Sequence, residues 1–328
     1  MPSRAQLEWQ RDELALFLHF GVNTFADREW GDGTEDPAIF APARLDTRQW
    51  ARVAKAAGAK ALILTAKHHD GFCLWPTKTT GHCVANSPFR GGRGDVVREF
   101  VDACGEHNLK AGLYLSPWDR NAKVYGDSPR YNEFYWAQLT ELLTQYGRID
   151  EVWFDGANGE GPNGKKQIHD WPATWALMLR LQPEAVIFSD AGPGVRWIGN
   201  ENGVAGETNW STVVRATLDQ LFANDLTRGR ALKWRRTGDR SATAEVDLGR
   251  ATAIALADMR EPIEQGQSVA RYTLEHSPDG ANWQPLSHGT TIGYRKLDRF
   301  APTLVRRVRL TINDAIAMPR PVSLGLYG

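Results

Sequence analysis

Short apolar runs alternate with helical patterns along the first two thirds of the chain. Apolar residues dominate the runs at 14–20, 61–66, 110–116, 151–154 and 185–190, which is the composition expected of strands buried on both faces. Between the runs, apolar residues recur every three or four positions and predict amphipathic helices. Continuous apolar strands that alternate with such helices indicate a parallel sheet covered by helices.

Start and stop signals set the bounds of the predicted helices. One helix starts at the capping residue Asp46 and ends near Gly58, and a second starts near Asp95. Two more are predicted at 131–146 and 175–181, and short apolar pieces near Trp197 and Trp210 are candidates for a sixth strand.

The pattern changes after Val213. One more helix is predicted around Leu218, Leu221 and Phe222, and short alternating strands follow at 244–248, 271–275 and 307–311. The segment from Ser277 to Gly280 has the composition of a turn between two of them. Roughly 95 residues of such strands favour a small β-sandwich. The predicted division is therefore an α/β domain at 1–230 and a sandwich at 231–328.

The α/β part has the pattern of a (β/α)8-like barrel, but it is short. Polar residues follow each apolar strand, and a barrel carries its chemistry at that end of its strands. Eight strand–helix units need about 250 residues, whereas only about 225 precede the sandwich. We therefore expect a shortened or incomplete barrel.

Asp155 is the first candidate for chemistry. It ends the apolar run at 151–154, and Gly156 then allows the chain to turn. A carboxylate at the end of a buried strand loses hydration, so it is typical of a pocket that needs a negative charge or a nucleophile.

Two glutamates are possible partners of Asp155. Glu201 and Glu207 lie in one glycine-rich segment, and a nucleophilic carboxylate with a second carboxyl as acid and base is the arrangement of a retaining glycosidase. Residue type alone leaves open that both glutamates simply face solvent.

Histidines and tryptophans near the strand ends are candidates for ligand contacts. His68 and His69 lack the spacing of metal ligands, so donation of hydrogen bonds to hydroxyl groups suits them better. His19 is either a core residue or a ligand contact at a barrel mouth. Sugar stacking and core filling both remain open for four tryptophans, namely Trp30, Trp118, Trp153 and Trp197.

Composition excludes several classes of protein. Lys plus Arg and Asp plus Glu number 39 each, which gives no electrostatic reason for binding nucleic acid or an anionic membrane. The three cysteines, Cys73, Cys83 and Cys104, predict neither a disulfide framework nor a metal cluster. The glycine-rich pieces match no phosphate loop, and Ser116 and Ser189 lack a nucleophile elbow. Without an apolar leader or span, the chain as written is expected in the cytoplasm, or in the periplasm or medium if a signal peptide was removed.

Five sequence blocks together resemble the α-L-fucosidases of glycoside hydrolase family 29. They occur in the family's order at residues 18–25, 29–30, 66–72, 113–119 and 153–157. The likeness extends from Leu7 to about Val213 and resumes in the predicted sandwich at 290–294 and 324–327, where it resembles a discoidin-like (F5/8-type) domain. Five ordered blocks are far more specific than any single motif.

The resemblance implies a retaining exo-α-L-fucosidase that acts on fucosylated oligosaccharides or glycoconjugates. Asp155 takes the nucleophile position, and the segment 196–203 resembles that of the subfamily preferring α-1,3/1,4-linked fucose, with Glu201 as acid/base and Glu207 in reserve. No metal or organic cofactor is expected. The fucose pocket would be lined by residues of those blocks: His19, Glu29, Trp30, His68, His69, Tyr114 and Trp153, with Trp118 and Trp197 as further candidates.

One departure from the family favours a second hypothesis. Family members continue after the segment 209–212 with further barrel strands, whereas here the chain passes almost at once to the last predicted helix. If the barrel is open, strand edges are exposed and part of a pocket wall is lost. The alternatives are a catalytically impaired relative that binds glycans and, less favoured, hydrolysis of another glycoside. The sequence makes no prediction of oligomeric state.

Overall fold

The chain folds into two compact units. The computed structural model describes residues 2–190, 193–197, 222–229 and 232–328. One unit is Arg4–Ile198, and the other is Gly199–Gly328 together with Met1–Ser3. The division expected after residue 230 stays a prediction. Among the described residues no helix is both long and apolar enough to cross a membrane.

The first unit contains a parallel sheet and its covering helices. The strands are β1 (Ala15–Leu18), β2 (Ala61–Lys67), β3 (Lys110–Leu115), β4 (Glu151–Phe154), β5 (Val186–Ser189) and β6 (Val195–Arg196), which pair in sequence order. The helices are α1 (Arg4–Asp12), α2 (Asn23–Ala26), α3 (Thr47–Ala56), α4 (Val96–Glu106), α5 (Ser128–Gln145) and α6 (Trp171–Leu181). Short 3-10 helices lie at Pro37–Ile39, Val84–Asn86 and Phe89–Gly91. The predicted alternation of strands and helices is confirmed.

Burial and capping explain these elements. All seven residues of β2 are buried, in agreement with its continuous apolar sequence. Asp46 and Asp95 cap α3 and α4 by accepting hydrogen bonds from the backbone N–H groups of Gln49 and Arg98. The described strands run from β1 to β6 without returning to β1, so closure into a barrel stays a prediction.

The sequence analysis missed α1 and misplaced other ends. The polar sequence of α1 has no apolar stripe, but its Trp9 packs on the sheet, with its ring centroid 6.0 Å from that of Phe188. α5 and α6 begin three and four residues before the predicted starts at 131 and 175. Both have a proline in the first turn. Backbone N–H groups there make no hydrogen bond within the helix, so the helix loses none when proline lacks its N–H. β1 is shorter than predicted, and β6 is the sixth strand expected near Trp197.

The second unit is an antiparallel sheet with its own core. Its strands are β7 (Lys233–Arg236), β8 (Ala242–Arg260), β9 (Val269–Ser277), β10 (Gln284–Gly289), β11 (Lys296–Ala315) and β12 (Ser323–Tyr327). Their order is β10-β9-β11-β8-β12, and β7 pairs with β8. The predicted turn after Ser277 is confirmed, with Gly280 at φ +83°, but it leads into β10, which was not predicted.

The strands β8 and β11 are far longer than the predicted segments 244–248 and 307–311. β8 pairs with β7 in its first half and with β12 in its second half, and the register between β8 and β11 shifts at Val305 and Arg307. Such a change of partners is what a two-layer sandwich requires. The helix predicted around Leu218 lies outside the described residues, apart from Phe222 in a turn.

Candidate active site

Asp155 follows β4 directly, and two donors hold its carboxylate. The Tyr114 hydroxyl donates to Oδ2 at 2.7 Å, and the Ala157 backbone N–H donates to Oδ1 at 2.7 Å. Tyr114 lies on β3, which pairs with β4 opposite Trp153, so neighbouring parallel strands bring the two side chains together. The carboxylate is half-buried and is fixed in one orientation by donors on both oxygens.

Tyr114 remains a donor across the physiological pH range. Burial, followed by the charge of Asp155, raises the pKa of the Tyr114 hydroxyl far above its usual value. The phenol therefore keeps its proton and points it at the carboxylate. Trp153 and Phe17 lie beside it, with their ring centroids 4.5 Å apart in edge-to-face geometry.

The three predicted histidines cluster next to Tyr114. The His68 ring stacks on Tyr114 at 5.7 Å, and it lies 4.2 Å from His19 and 4.1 Å from His69 between centroids. Adjacent residues of an extended strand point in opposite directions, and from that rule the two side chains are expected to diverge, which is wrong here. β2 ends at Lys67, and the following turn brings both imidazoles to the same side.

Burial keeps the histidines neutral. It lowers the pKa of His68 to about 2 and, against the opposing charge of Asp155, that of His69 to about 4. The pKa of His19 is also lowered by burial, with Glu29 acting in the opposite direction. Neutral imidazoles offer one donor and one acceptor each, which suits a ligand with hydroxyl groups.

The hydrogen bonds indicate which ring nitrogens are open to a ligand. Ser116 Oγ donates its single proton to the carbonyl of Trp118 and lies 2.7 Å from His69 Nδ1. His69 Nδ1 must then carry the proton, which leaves Nε2 as an acceptor. Within the part of the chain that the structure describes, the buried Nδ1 of His68 has no hydrogen-bond partner.

Trp118 and Trp30 extend the row of rings formed by Tyr114, His68 and His69. The Trp118 ring lies 5.0 Å from His69, and the Trp30 ring lies 5.4 Å from Trp118. Trp30 is 42% exposed, so part of this residue is open to solvent. Glu29, next to it, is exposed as well.

The remaining predicted residues divide into two groups. Trp197 is described and 37% exposed, with its backbone N–H donating to the carbonyl of Ser189. Glu201 and Glu207, the predicted acid/base and its reserve, lie outside the described residues. Their roles, like those of the other predicted site residues, stay predictions.

Sequence reasoning missed Asp190. It follows β5 as Asp155 follows β4, so its position at a strand end was a usable signal. Its carboxylate lies against Gly156, where a Cβ atom would be only 1.8 Å from Oδ2. Partial burial and the charge of Asp155 raise the pKa of Asp190. Gly156 is thus needed for space between the two carboxylates.

A buried ion pair, which the sequence analysis also missed, lies behind the site residues. Lys67, fully buried, lies 3.0 Å from Asp119 and also donates to Gln138 at 2.9 Å. Asp119 in turn accepts from the backbone N–H groups of Asn121 and Ala122. The pair fixes the segments that follow β2 and β3, which carry His68, His69 and Trp118.

The described residues contain no group of three or more side chains arranged to hold a metal ion. The three cysteines are buried free thiols. What the site offers is a held carboxylate, neutral imidazoles and exposed aromatic faces, which is the chemistry of a carbohydrate-processing site.

Two known families match this chain. The family described as Alpha-L-fucosidase matches residues 35–235, which is more than half of the chain, and the F5/8 type C domain matches residues 200–320. The chain therefore belongs to the α-L-fucosidase family of glycoside hydrolases, as its sequence blocks indicated.

Individual relatives agree with this assignment. Alpha-L-fucosidase 1 of Arabidopsis thaliana is 55% identical over 212 residues, which cover 64% of this chain and 41% of that protein. The chain thus spans less than half the length of this curated relative. A glycoside hydrolase 29 family member from an unknown rumen bacterium is 34% identical, with a TM-score of 0.86 over 99% of this chain and 77% of the other. A Ruminococcus gnavus GH29 fucosidase in complex with fucose is 26% identical, with a TM-score of 0.85 over 99% and 94%.

Proposed function

We propose that this chain is a retaining exo-α-L-fucosidase that releases terminal α-1,3/1,4-linked fucose from glycans. The observation that carries the proposal is the carboxylate of Asp155, oriented by Tyr114 and Ala157 beside three neutral histidines. Membership of the α-L-fucosidase family supports the substrate class. The linkage preference rests on the resemblance of the segment 196–203 to the corresponding subfamily.

The reaction would proceed in two displacements. Asp155 attacks the anomeric carbon, while Glu201 gives a proton to the departing glycosidic oxygen, and a covalent fucosyl-enzyme forms. Glu201 then takes a proton from water, which attacks the same carbon and frees Asp155. Two inversions at one carbon retain its configuration. His68 and His69 would hold the sugar hydroxyls, and the aromatic faces would meet its methyl side.

We further propose that the scaffold is a shortened barrel. Among the described strands β1 pairs only with β2, and Phe17 on β1 is 38% exposed although its ring packs against Trp153. Further strands beyond β6 would cover this edge in a closed barrel. An open edge gives the reason to test turnover directly, because glycan binding without hydrolysis is the alternative.

Asp155→Asn is the main test. The natural chain should release fucose from 4-nitrophenyl α-L-fucoside and from a fucosylated Lewis-type oligosaccharide. The variant should lose more than about 10³-fold in kcat/KM, the scale of removing a catalytic nucleophile. Glu151→Gln, at the other end of the same strand, is the matched control and should keep full activity. Release by Asp155→Asn at the natural rate would refute the assignment, whereas fucose binding without release by the natural chain would favour the glycan-binding alternative.

Two further measurements test the mechanism and the acid/base. Proton NMR during the first turnovers should show α-fucose before mutarotation, and β-fucose first would exclude retention. Glu201→Ala should slow hydrolysis of the oligosaccharide far more than that of the nitrophenyl fucoside, because an activated phenolate leaves without protonation. Equal losses on both substrates would argue against Glu201 as the acid.

A further inference from the structure

We propose that Arg120 is a positioning residue that locks the Trp30 loop, residues 27–35, onto the histidine segment, residues 67–71. In this role Arg120 touches no substrate and acts through the place it gives to Trp30. The proposal rests on the proposed fucosidase function for its kinetic readout, and its structural readout is independent of that function.

The Trp30 loop depends on few ties to the rest of the unit. Most of its hydrogen bonds are local, such as those from the backbone N–H groups of Asp32 and Gly33 to Glu35. At the start of the loop, the backbone N–H groups of Asp27 and Arg28 donate to the carbonyl of Asn23. Among the described residues, two side chains from outside the loop donate to its backbone: Arg120 Nη1 to the carbonyl of Gly31 at 2.5 Å, and Asn121 Nδ2 to that of Gly33 at 2.8 Å. Arg120 and its neighbour therefore hold both sides of the turn after Trp30.

The guanidinium of Arg120 also contacts both tryptophans of the row of rings. It lies 5.2 Å from the ring centroid of Trp30 and 5.4 Å from that of Trp118, while the two rings lie 5.4 Å apart. Both distances are within cation–π range. One cation thus links Trp30, which is 42% exposed, to Trp118, which packs on His69.

The backbone of Arg120 is itself bonded to the histidine segment. Its N–H donates to the carbonyl of His69 at 2.9 Å, and the preceding Asp119 pairs with the fully buried Lys67. The chain also touches the Trp30 loop directly, because a Cβ atom on Gly33 would lie 2.4 Å from the carbonyl oxygen of Arg120. Arg120 therefore joins the loop to the buried frame of the histidine segment.

The expected effect of losing Arg120 is on binding and not on the bond-breaking step. Arg120 contacts the rings of Trp30 and Trp118, whereas Asp155 accepts its hydrogen bond from Tyr114, at the other end of the row of rings. Without the guanidinium, Trp30 has to be ordered each time a sugar binds, and that cost applies equally to the bound substrate and the transition state. Such a change raises KM and leaves kcat nearly unaltered.

Arg120→Met is the test, because methionine keeps much of the aliphatic stem but removes the charge and the donors. We expect KM for 4-nitrophenyl α-L-fucoside and the inhibition constant of free L-fucose to rise about tenfold, with kcat changed by less than about twofold and an unaltered pH profile. Arg120→Lys should recover part of the loss, because it keeps the cation without the planar fork. Arg28→Met removes a cation of the same loop, whose ion pairs within the described part of the chain are with its loop neighbours Asp32 and Glu35, and should change neither constant.

A spectroscopic measurement separates this inference from the proposed function. The near-UV circular dichroism that Trp30→Phe removes from the natural chain should also be lost in Arg120→Met and kept in Arg28→Met. If the natural chain releases no fucose, the fucosidase proposal fails while this measurement still decides the role of Arg120. An unchanged Trp30 signal, or a fall in kcat at constant KM, would overturn the inference. If Arg120→Met does not fold, Arg120→Lys and Arg120→Gln are read by the same two criteria.

Discussion

The two ends of β4 carry carboxylates in opposite surroundings. At the amino end, Glu151 is 5% exposed and accepts a 2.6 Å hydrogen bond from Trp9 of α1. At the carboxyl end, Asp155 is half-buried, receives two donors and faces neutral histidines. Burial raises the pKa of Glu151 to about 7, so this carboxyl is largely protonated in mildly acidic solution.

The difference separates a buried carboxyl that contributes to stability from an accessible one that we propose for the chemistry. α1 covers the amino end, so the carboxyl of Glu151 is almost fully buried and accepts a hydrogen bond from an indole N–H. Loops that leave the carboxyl end keep Asp155 accessible. The same division applies to the cations, because Lys67 is completely buried near the carboxyl end whereas Lys110, at the amino end, is 32% exposed in its pair with Asp12. Substitutions at Lys67, Glu151 and Tyr114, with Lys110→Met as a matched control, test this comparison.

Lys67→Met should have the largest effect on folding. Removing one partner of a buried ion pair leaves Asp119 charged and unpaired, which costs roughly 3–5 kcal/mol of unfolding free energy. The matched change at the amino end, Lys110→Met, breaks a partly exposed pair and should cost about 1 kcal/mol or less. Urea unfolding measures both. Equal losses would remove the distinction between the two cations, and adding Asp119→Asn to Lys67→Met should restore part of the stability.

Glu151→Gln should change how stability depends on pH. The pKa of Glu151 is raised in the folded state, from 4.5 to about 7, so the folded protein binds more protons between these values. Stability from the protonated form is complete below about pH 4.5 and is lost as the pH rises through about 7. Glutamine can still accept from Trp9 and has no charge to bury.

The measurement is the difference between Glu151→Gln and the natural chain at two pH values. From pH 5 to pH 8 the difference should move in favour of the variant by roughly 2–3 kcal/mol, since each pKa unit corresponds to 1.36 kcal/mol. Other titrating groups cancel in this difference. A constant difference across the range would show that Glu151 ionises normally and would break the comparison at its amino end.

Tyr114→Phe should have the smallest effect and only at the carboxyl end. It removes the hydroxyl that donates to Asp155 and keeps the ring that packs on His68. A hydrogen bond to a charged group is worth about 1.5–3 kcal/mol, so kcat/KM should fall roughly 10- to 100-fold. The urea midpoint should move little. Full activity in the variant would mean that Ala157 alone orients the carboxylate.

Strand and helix patterns were readable because they depend on local sequence. Continuous apolar runs identified β2 and β3, and the caps Asp46 and Asp95 set the starts of α3 and α4 within one residue. α1 was not readable, because a polar helix with a single large anchor, Trp9, has no periodic apolar stripe. The full length of β8 and β11 was hidden for a related reason, since their bulges interrupt the alternation of apolar and polar residues.

The sequence named several residues of the candidate site, but not the contacts that join them. The strand-end rule found Asp155 and the block resemblance found Tyr114 and the histidines, and the structure brings these residues together. The same rule was not applied to Asp190, which lies against Gly156. Arg120 gave no signal, because its contacts join Gly31 and two tryptophans that are far apart in the chain.

The sequence by itself determined the α-L-fucosidase family, the alternating α/β pattern with a β-rich second part, and Asp155 as the proposed nucleophile. These follow from periodicity, strand ends and ordered blocks, which are properties of neighbouring residues. Only the tertiary structure decided that Glu151 is buried beneath Trp9, that Tyr114 donates to Asp155, that Lys67 pairs with Asp119, and that Arg120 donates to Gly31. Each of these depends on burial or on contacts between distant segments, and desolvation and pairing act only once the chain has folded.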